Sequence, residues 1–274
     1  MSFHTVFATV LAVCLREQVT LAAFDHVATG PRSLSLGNAA VASGPVTWTA
    51  FVNPAGLATC RSNSAGFFYV PGLFGMSEMR YTGGALLLPV AGTGLALTAT
   101  RFGYDLYNET VIGLAAGRSV VSELEFGCRF QLNRLAIDGY GACTAVTIDL
   151  GIRIECSASL SIGGVYTNVT RSTLGASGEM IPQELTGRVW YSPVPELRIA
   201  VSAGKEILSA PELRCGVEAD IVEWMTLRAG IIDNPSVVSG GCAFRMGDVA
   251  VEYGLAYHWI LGATHAIGLT ISFP

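Results

Sequence analysis

The sequence predicts an all-β fold, a single transmembrane, antiparallel, up-and-down β-barrel of about 14 strands with an N-terminal plug segment. Three observations predict it. Long stretches alternate apolar and polar residues with a period of two, and turn signals separate them. Hydrophobic residues make up 51% of the 274 residues and charged residues only 14%, which is low for a soluble domain. No window offers the roughly 18 uninterrupted apolar residues of a membrane-spanning helix.

Residues 1–23 have the pattern of an export signal peptide. An apolar run covers residues 5–15, and small residues at 21–23 suit a cleavage site. No Lys or Arg precedes the run, and residues 16–18 (REQ) separate it from the cleavage site, so a short N-terminal strand or helix is the alternative. We therefore expect an exported protein whose mature chain begins close to residue 24.

The clearest alternation runs from residue 142 to residue 156 (ACTAVTIDLGIRIEC). One face carries a row of mostly aliphatic residues around Leu150, whereas the other face carries Asp149, Arg153 and Glu155. Successive side chains of a strand point to opposite faces, so this stretch is one long strand with an apolar side and a polar side. Segments of the same kind cover 123–133, 196–204, 213–220, 248–258 and 264–273, with weaker ones near 65–71, 80–89, 94–104, 109–118, 158–168, 184–191, 223–231 and 238–246.

The number and length of these segments fit a meander that crosses a membrane. About fourteen strands after residue 62 leave about fifteen residues for each strand and its connection, and a tilted crossing strand takes about 9–11 of them. The connections are then short, and no second domain fits in the remaining chain. We expect residues 62–274 to form the barrel.

The polar faces distinguish a membrane barrel from a soluble β-sandwich. They are rich in Gly, Ala, Ser and Thr with isolated charges, and Lys205 is the only lysine of the chain. A solvated sandwich face normally carries more charge and more lysine. The apolar faces are therefore expected to meet lipid, and the lumen is expected to receive the polar side chains of Glu125, Arg129, Asp149, Arg153 and Glu218.

A motif in the N-terminal third carries a family resemblance. Residues 30–42 read GPRSLSLGNAAVA and residues 52–58 read VNPAGLA. Together they resemble the opening of the PorV/PorQ family of outer-membrane proteins, a branch of the FadL-like barrels. Later segments resemble the family in the same order: DLG at 149–151, IP at 181–182, GVE at 216–218, LRAG at 227–230 and the last strand. The motif residues singled out as structural or gating are Gly30, Arg32, Ser33, Gly37, Asn53, Pro54 and Gly56.

The resemblance implies that residues 24–61 form a periplasmic or plug segment with short helices. Asn53-Pro54 is a helix-start signal, since Asn caps and Pro suits the first helical position. Gly37 and Gly56 allow close backbone approach or positive φ. Arg32 is expected to pair with an interior carboxylate such as Glu125 or Asp149, and the alternative is a solvated periplasmic arginine.

Nothing in the sequence supports catalysis, a metal site or another cofactor. His4, His26, His258 and His265 lack metal-ligand spacing, and the seven cysteines include no Cys-x-x-Cys. Gly-x-Ser-x-Gly does not occur. The net charge of −5 and the absence of a Lys/Arg cluster exclude a nucleic-acid footprint.

Three functional classes follow from these patterns. The first is a FadL-like barrel of the outer membrane, in contact with its lipid, that passes or binds a small hydrophobic ligand. The second is a PorV-like accessory of the type IX protein secretion system, with secretion components or exported cargo as partners. The third is a secreted, soluble β-sandwich with a structural or adhesive role.

Overall fold

The computed structural model describes residues 23–24, 29–39, 46–175, 178–206 and 210–274. Apart from Ala23, the predicted signal peptide lies outside these residues. Short helices precede the first strand: α1 (Pro31–Ser35), the 3-10 helix η1 (Val46–Trp48), α2 (Thr49–Val52) and the 3-10 helix η2 (Pro54–Thr59). A third 3-10 helix, η3 (Ser77–Met79), follows the first strand. Within the described part of the chain, no helix has the length and apolar character needed to cross a membrane.

Fourteen strands close into one antiparallel barrel, in which β1 pairs with β16 and every other strand pairs with its neighbours. The barrel strands are β1 (Asn63–Val70), β2 (Tyr81–Val90), β3 (Thr93–Gly103), β4 (Tyr107–Val121), β5 (Leu124–Ile137), β6 (Gly141–Ser157), β7 (Leu160–Tyr166), β10 (Glu184–Val194), β11 (Leu197–Glu206), β12 (Glu212–Val222), β13 (Met225–Ile232), β14 (Val237–Met246), β15 (Val249–His258) and β16 (Gly262–Phe273). Two short strands, β8 (Thr173–Leu174) and β9 (Glu179–Met180), form a separate hairpin. The predicted antiparallel, up-and-down barrel of about 14 strands is confirmed, and a single closed sheet overturns the two-sheet sandwich.

The two ends of the barrel differ in their connections. At one end, here called the turn end, every link between consecutive barrel strands has two residues, as between Val90 and Thr93 or between Val222 and Met225. The start of β1 and the end of β16 lie at the same end, since Asn63 pairs with Phe273. The opposite end, here called the loop end, carries all the longer connections. The two-residue connections fix the register of their hairpins, and the pairing of β1 with β16 leaves no strand edge open.

The wall separates an apolar outer face from a polar inner face. On β6, Leu150 and Ile152 are 37% and 42% exposed, whereas the adjacent Asp149 and Arg153 are 0% and 7% exposed. Large apolar side chains stand outward on the other barrel strands as well, among them Phe67, Leu97, Leu114, Val189 and Ile267. Because outward apolar side chains cover the wall, the surface matches hydrocarbon rather than water.

We expect Leu150→Arg to lower the free energy of unfolding by about 2–4 kcal/mol, the cost of an arginine on the lipid face near the midplane. Thr144→Arg is the matched control, because Thr144 lies on the same face of β6 close to the loop end, where the cost falls to about 0–1 kcal/mol. Unfolding titrations in bilayers would measure both. Equal stability of Leu150→Arg and wild type would contradict an outward, lipid-facing Leu150.

The connection between β7 and β10 folds into the barrel instead of extending away from it. The backbone N–H of Asn168 donates to Asp149 Oδ1 at 2.8 Å, and the N–H of Val169 donates to the carbonyl of Ile148 at 2.8 Å. Leu174 and Ile181 are buried in a cluster that also contains Phe24. This inward loop therefore covers part of the lumen at the loop end.

Candidate functional site

Residues 29–39 and 46–61, here called the inner segment, precede β1 and pack against the polar inner face of the barrel. Helix α1 and the turn after it lie against the late strands. Leu36 contacts the backbone at Gly216 and Gly230, and Pro31 contacts Gly254 and Gly268. A Cβ on any of these four glycines would lie within 2.3–2.7 Å of the inner segment. Helix α1 can thus approach the wall this closely because these four wall residues are glycines.

Helix η2 lies across the early strands in the same way. Four glycines, Gly94, Gly117, Gly127 and Gly151, are direct cross-strand partners on β3 to β6, and we call them the glycine row. A Cβ on any of them would lie 2.0–2.3 Å from an atom of residues 53–57. The row therefore forms a groove in which the backbone of the inner segment rests on the backbone of the wall.

The N-terminus of η2 is fixed by its cap. The side chain of Asn53 accepts a hydrogen bond from the N–H of Ala55 at 3.0 Å, and Pro54 occupies the first helical turn. The same Asn53 side chain donates to the carbonyl of Ile152 on β6 at 3.2 Å. Asn53 thus starts the helix, as its sequence context predicts, and also ties it to the wall.

We expect Gly127→Ala to displace η2 and to cost about 1–3 kcal/mol, as overpacking of a filled interior does. Its Cβ would lie 2.2 Å from the carbonyl carbon of Pro54, whereas nothing lies within 4 Å of a Cβ on Gly187, a strand glycine of β10. Gly187→Ala is therefore the matched control. Denaturant unfolding in detergent would compare the two, and equal stability of both variants would argue against a tight glycine row.

The buried Arg32 is held by a carboxylate of the wall. Arg32 Nε lies 2.9 Å from Glu218 Oε2, and both side chains are 2% exposed. Arg228 Nε lies 2.7 Å from the same oxygen, and Arg198 Nε lies 2.8 Å from Glu218 Oε1. Three arginines thus surround Glu218.

Arg32 pairs with an interior carboxylate, as expected, but that carboxylate is Glu218 and not Glu125 or Asp149. Those two carboxylates lie on β5 and β6, whereas α1 packs on β12 to β16, and each already has an arginine of its own. The sequence gives no register across the barrel, so it could not show which carboxylate faces Arg32. The alternative of a solvated Arg32 is also excluded, because the residue is 2% exposed.

The network continues to a second carboxylate and to Trp48. Arg228 Nη1 lies 2.7 Å from Glu252 Oε2, and Trp48 Nε1 donates to Glu252 Oε1 at 2.8 Å. Trp48 and Glu252 are each 1% exposed. Helices α1 and η1 are therefore both bonded to one network of charged side chains on β11, β12, β13 and β15.

A second network surrounds Asp149. Arg129 Nη2 lies 2.6 Å from Asp149 Oδ2, and Gln131 Nε2 donates to the same oxygen at 2.8 Å. Arg129 Nη1 also donates to the carbonyls of Ala50 and Phe51, at 2.9 and 2.8 Å. Arg188 Nη1 donates to the carbonyl of Val52 at 2.8 Å. Two wall arginines thus satisfy the free carbonyls at the C-terminus of α2, where cations are favoured.

The remaining predicted residues take simpler roles. Arg153 Nη1 lies 2.8 Å from Glu125 Oε2, and Arg153 Nη2 lies 2.8 Å from Glu155 Oε1. Ser33 Oγ lies 3.3 Å from Asn38 Oδ1. These contacts brace the wall and the turn after α1.

Two motif glycines adopt the left-handed region. Gly30 has φ +88° and Gly37 has φ +58°, and a Cβ on Gly37 would also lie 2.9 Å from the backbone of Ile231. Gly56 lies within η2, where its N–H donates to the carbonyl of Asn53 at 3.1 Å. Positive φ thus explains Gly30 and Gly37.

A cavity of about 450 Å³ lies between the inner segment and the loop end. Phe51 and Leu34 of the inner segment line one side, and Tyr81, Phe102 and Val111 line the wall. Further apolar walls come from the loop-end connections and the inward loop, through Leu73, Phe74, Pro235, Leu261, Ile181 and Pro182. A second cavity of about 80 Å³ adjoins it beside Val52 and Arg188. The space has the size and mixed lining of a small-molecule site.

Sequence reasoning missed several residues of this arrangement. Glu252, Arg228 and Trp48 were not singled out, although Arg228 and Glu252 alternate with apolar residues on their strands and could have been assigned to the lumen. The glycine row was also missed. Its signal is a glycine on the polar face of four consecutive strands.

The closed sheet, the inner segment and the cavity define the class of the protein by fold: a 14-stranded antiparallel β-barrel with chain packed inside it. No protein-family model and no curated protein matches the chain. Solved structures do resemble it. The CymD monoaromatic hydrocarbon channel superimposes with a TM-score of 0.70 at 14% identity, covering 92% of this chain and 99% of that one.

Two other solved structures show the same likeness. The toluene transporter TodX of Pseudomonas putida has a TM-score of 0.63 at 12% identity, covering 92% of this chain and 99% of its own. A FadL homologue of Pseudomonas aeruginosa has a TM-score of 0.61 at 13% identity, covering 91% and 99%. The three share their fold with this protein, and the FadL-like fold predicted from the sequence is thereby supported.

Proposed function

We propose that the protein is an integral outer-membrane barrel that binds or passes a small hydrophobic solute. Its outer face is apolar, and its turn end carries only two-residue connections, as the periplasmic end of such barrels does. The structures that it resembles are described as hydrocarbon channels and a toluene transporter. We therefore place the loop end outside the cell and the inner segment in the lumen as a plug.

The cavity between the inner segment and the loop end is the observation that carries the proposal. Aromatic rings and aliphatic side chains line it, and a ring of polar groups lies deeper, around Arg129 and Asp149. An apolar solute entering at the loop end meets Phe74, Leu261 and Phe102 before it reaches Phe51 on the inner segment. A cavity of about 450 Å³ has the volume of a small-ligand site and is too small to hold a folded protein.

Uptake of labelled toluene by cells that carry the protein in an outer membrane without related channels tests the proposal. Val111→Trp places a large ring in the cavity, and uptake should fall to the level of cells without the protein. Ile112→Trp is the matched control, because the adjacent Ile112 faces outward and is 47% exposed. If Val111→Trp cells take up toluene as fast as wild type with equal folded protein, the cavity is not the path.

A second candidate is an accessory role in type IX protein secretion, with membership of the PorV/PorQ family. The motif at residues 30–58 and its order relative to later segments favour it. The loop end offers little surface for binding a protein cargo. Connections such as 104–106 and 138–140 have only three residues, and the longest connection folds inward. Loss of exported cargo from the culture medium after deletion of the gene would support this role.

A further inference from the structure

Two outward-facing arginines lie next to each other in register near the loop end. Arg101 on β3 pairs with Thr110 on β4, Thr110 pairs with Arg134 on β5, and Arg134 pairs with Thr144 on β6. All four side chains stand on the outer face of the wall. We call them the cationic row. Neighbouring strands are about 4.8 Å apart, so the two arginines are separated by about 10 Å along the row.

The cationic row has no charge partner among the residues that the structure describes. Arg101 and Arg134 are exposed, and among the residues that the structure describes neither guanidinium forms an ion pair. Inside the barrel, by contrast, Arg129 is paired with Asp149, Arg153 with Glu125 and Arg228 with Glu252. The two outward arginines therefore keep their hydrogen-bonding capacity for a ligand outside the barrel.

The row lies directly at the border of the apolar band. The next outward row toward the middle of the barrel consists of Ala99, Ile112, Leu132 and Val146, which are direct cross-strand partners. Ile112, Leu132 and Val146 are 47%, 40% and 39% exposed. Long arginine side chains at such a border reach toward the headgroup layer while their stems stay against hydrocarbon.

The other side of the barrel lacks this feature. Near the loop end, the corresponding outward row on β13 to β16 consists of Ile231, Val238, Tyr257 and Ala263. None of these four residues is charged. Lys205 on β11 is also outward near the loop end, but its direct cross-strand partner is the apolar Leu185. Arg101 and Arg134 are therefore distinguished by lying together in one row with hydroxyl side chains.

We propose that the cationic row binds the headgroup of an anionic, phosphorylated lipid in the leaflet at the loop end. Guanidinium groups bind phosphate oxygens through paired, charge-assisted hydrogen bonds, and the hydroxyl of Thr110 lies between the two arginines. The acyl chains of the same lipid would lie on Ile112, Leu132 and Val146. This inference rests on the membrane placement proposed above but not on solute passage.

Native mass spectrometry of the full-length protein in detergent, titrated with phosphatidylglycerol and with phosphatidylcholine, tests the proposal. We expect Arg101→Gln with Arg134→Gln to weaken phosphatidylglycerol binding by about tenfold, because each removes one cation from the site. Arg118→Gln with Arg245→Gln is the matched control, since it removes the same charge from exposed arginines at the turn end. The control should bind as wild type does.

Three outcomes would overturn the proposal: equal binding of both lipids by wild type, equal loss in both double variants, or displacement of the lipid by an equal concentration of inorganic phosphate. Heat-modifiable gel mobility and toluene uptake, measured on the same variants, separate this test from that of the proposed function. If the Arg101→Gln, Arg134→Gln variant is folded, takes up toluene normally and no longer binds the lipid, the result supports lipid binding by the cationic row without bearing on solute passage. Lost uptake in Val111→Trp with normal lipid binding leaves the row intact.

Discussion

Deletion of residues 30–58 is expected to raise the single-channel conductance of the barrel at least about tenfold, because a wall of this strand number encloses more space than its own side chains fill. The first strand begins at Asn63, so every hydrogen bond between barrel strands is retained. Glu218 keeps Arg198 and Arg228 as partners, and Glu252 keeps Arg228. Both buried wall carboxylates thus keep at least one arginine partner.

Planar-bilayer recordings of the full-length and deleted proteins would measure the difference, with heat-modifiable gel mobility as the control for folding. The inward loop after β7 also covers part of the lumen through Asn168, Leu174 and Ile181. Low conductance in a folded deletion variant would therefore assign closure to that loop and contradict a plug. The contributions of the inward loop and of residues 30–58 can be separated. The strands that flank the inward loop pair with β6 and β11, and these pairings do not involve residues 30–58.

Glu218→Ala is expected to lower the free energy of unfolding by about 3–5 kcal/mol, the usual cost of removing one partner from a buried ion pair. Three arginines contact this carboxylate. Water has little access to replace it at Arg32 and Arg228, because each of these side chains is only 2% exposed. The loss should also loosen α1, since Arg32 Nε donates to Glu218 at 2.9 Å.

Glu212→Ala is the matched control for that variant. Glu212 lies on the same strand and pairs with Arg214 at 2.6 Å, but its side chain is 32% exposed. An exposed pair of this kind is worth about 0–1 kcal/mol. Unfolding titrations that place Glu218→Ala within the range of Glu212→Ala would contradict the structural importance of the network around Arg32.

The wall of this protein was predictable because face assignment needs only local alternation. Leu150 and Ile152 against Asp149 and Arg153 show the inner and outer sides of β6 from the sequence alone. Strand number followed from counting such segments. Each strand is assigned from its own residues, so the assignment requires no knowledge of contacts with distant parts of the chain.

The contacts of the inner segment were not predictable in the same way. Arg32 and Glu218 are 186 residues apart, and only the closed barrel brings β12 opposite α1. The glycine row depends on the register of four strands, since one residue of slip would turn Gly127 outward. Alternation identifies which residues enter the lumen, but not which of them meet there.

Closure of the barrel has a consequence for the order of assembly. Hairpins such as β2–β3 and β12–β13 join strands two residues apart and can form as soon as both are made, whereas β1 must wait for β16. The inner segment precedes β1, yet it contacts the early strands at Gly127 and the late strands at Gly254. It therefore joins strands that lie far apart in the chain, and we expect it to hold the early and the late strands together when β1 and β16 pair.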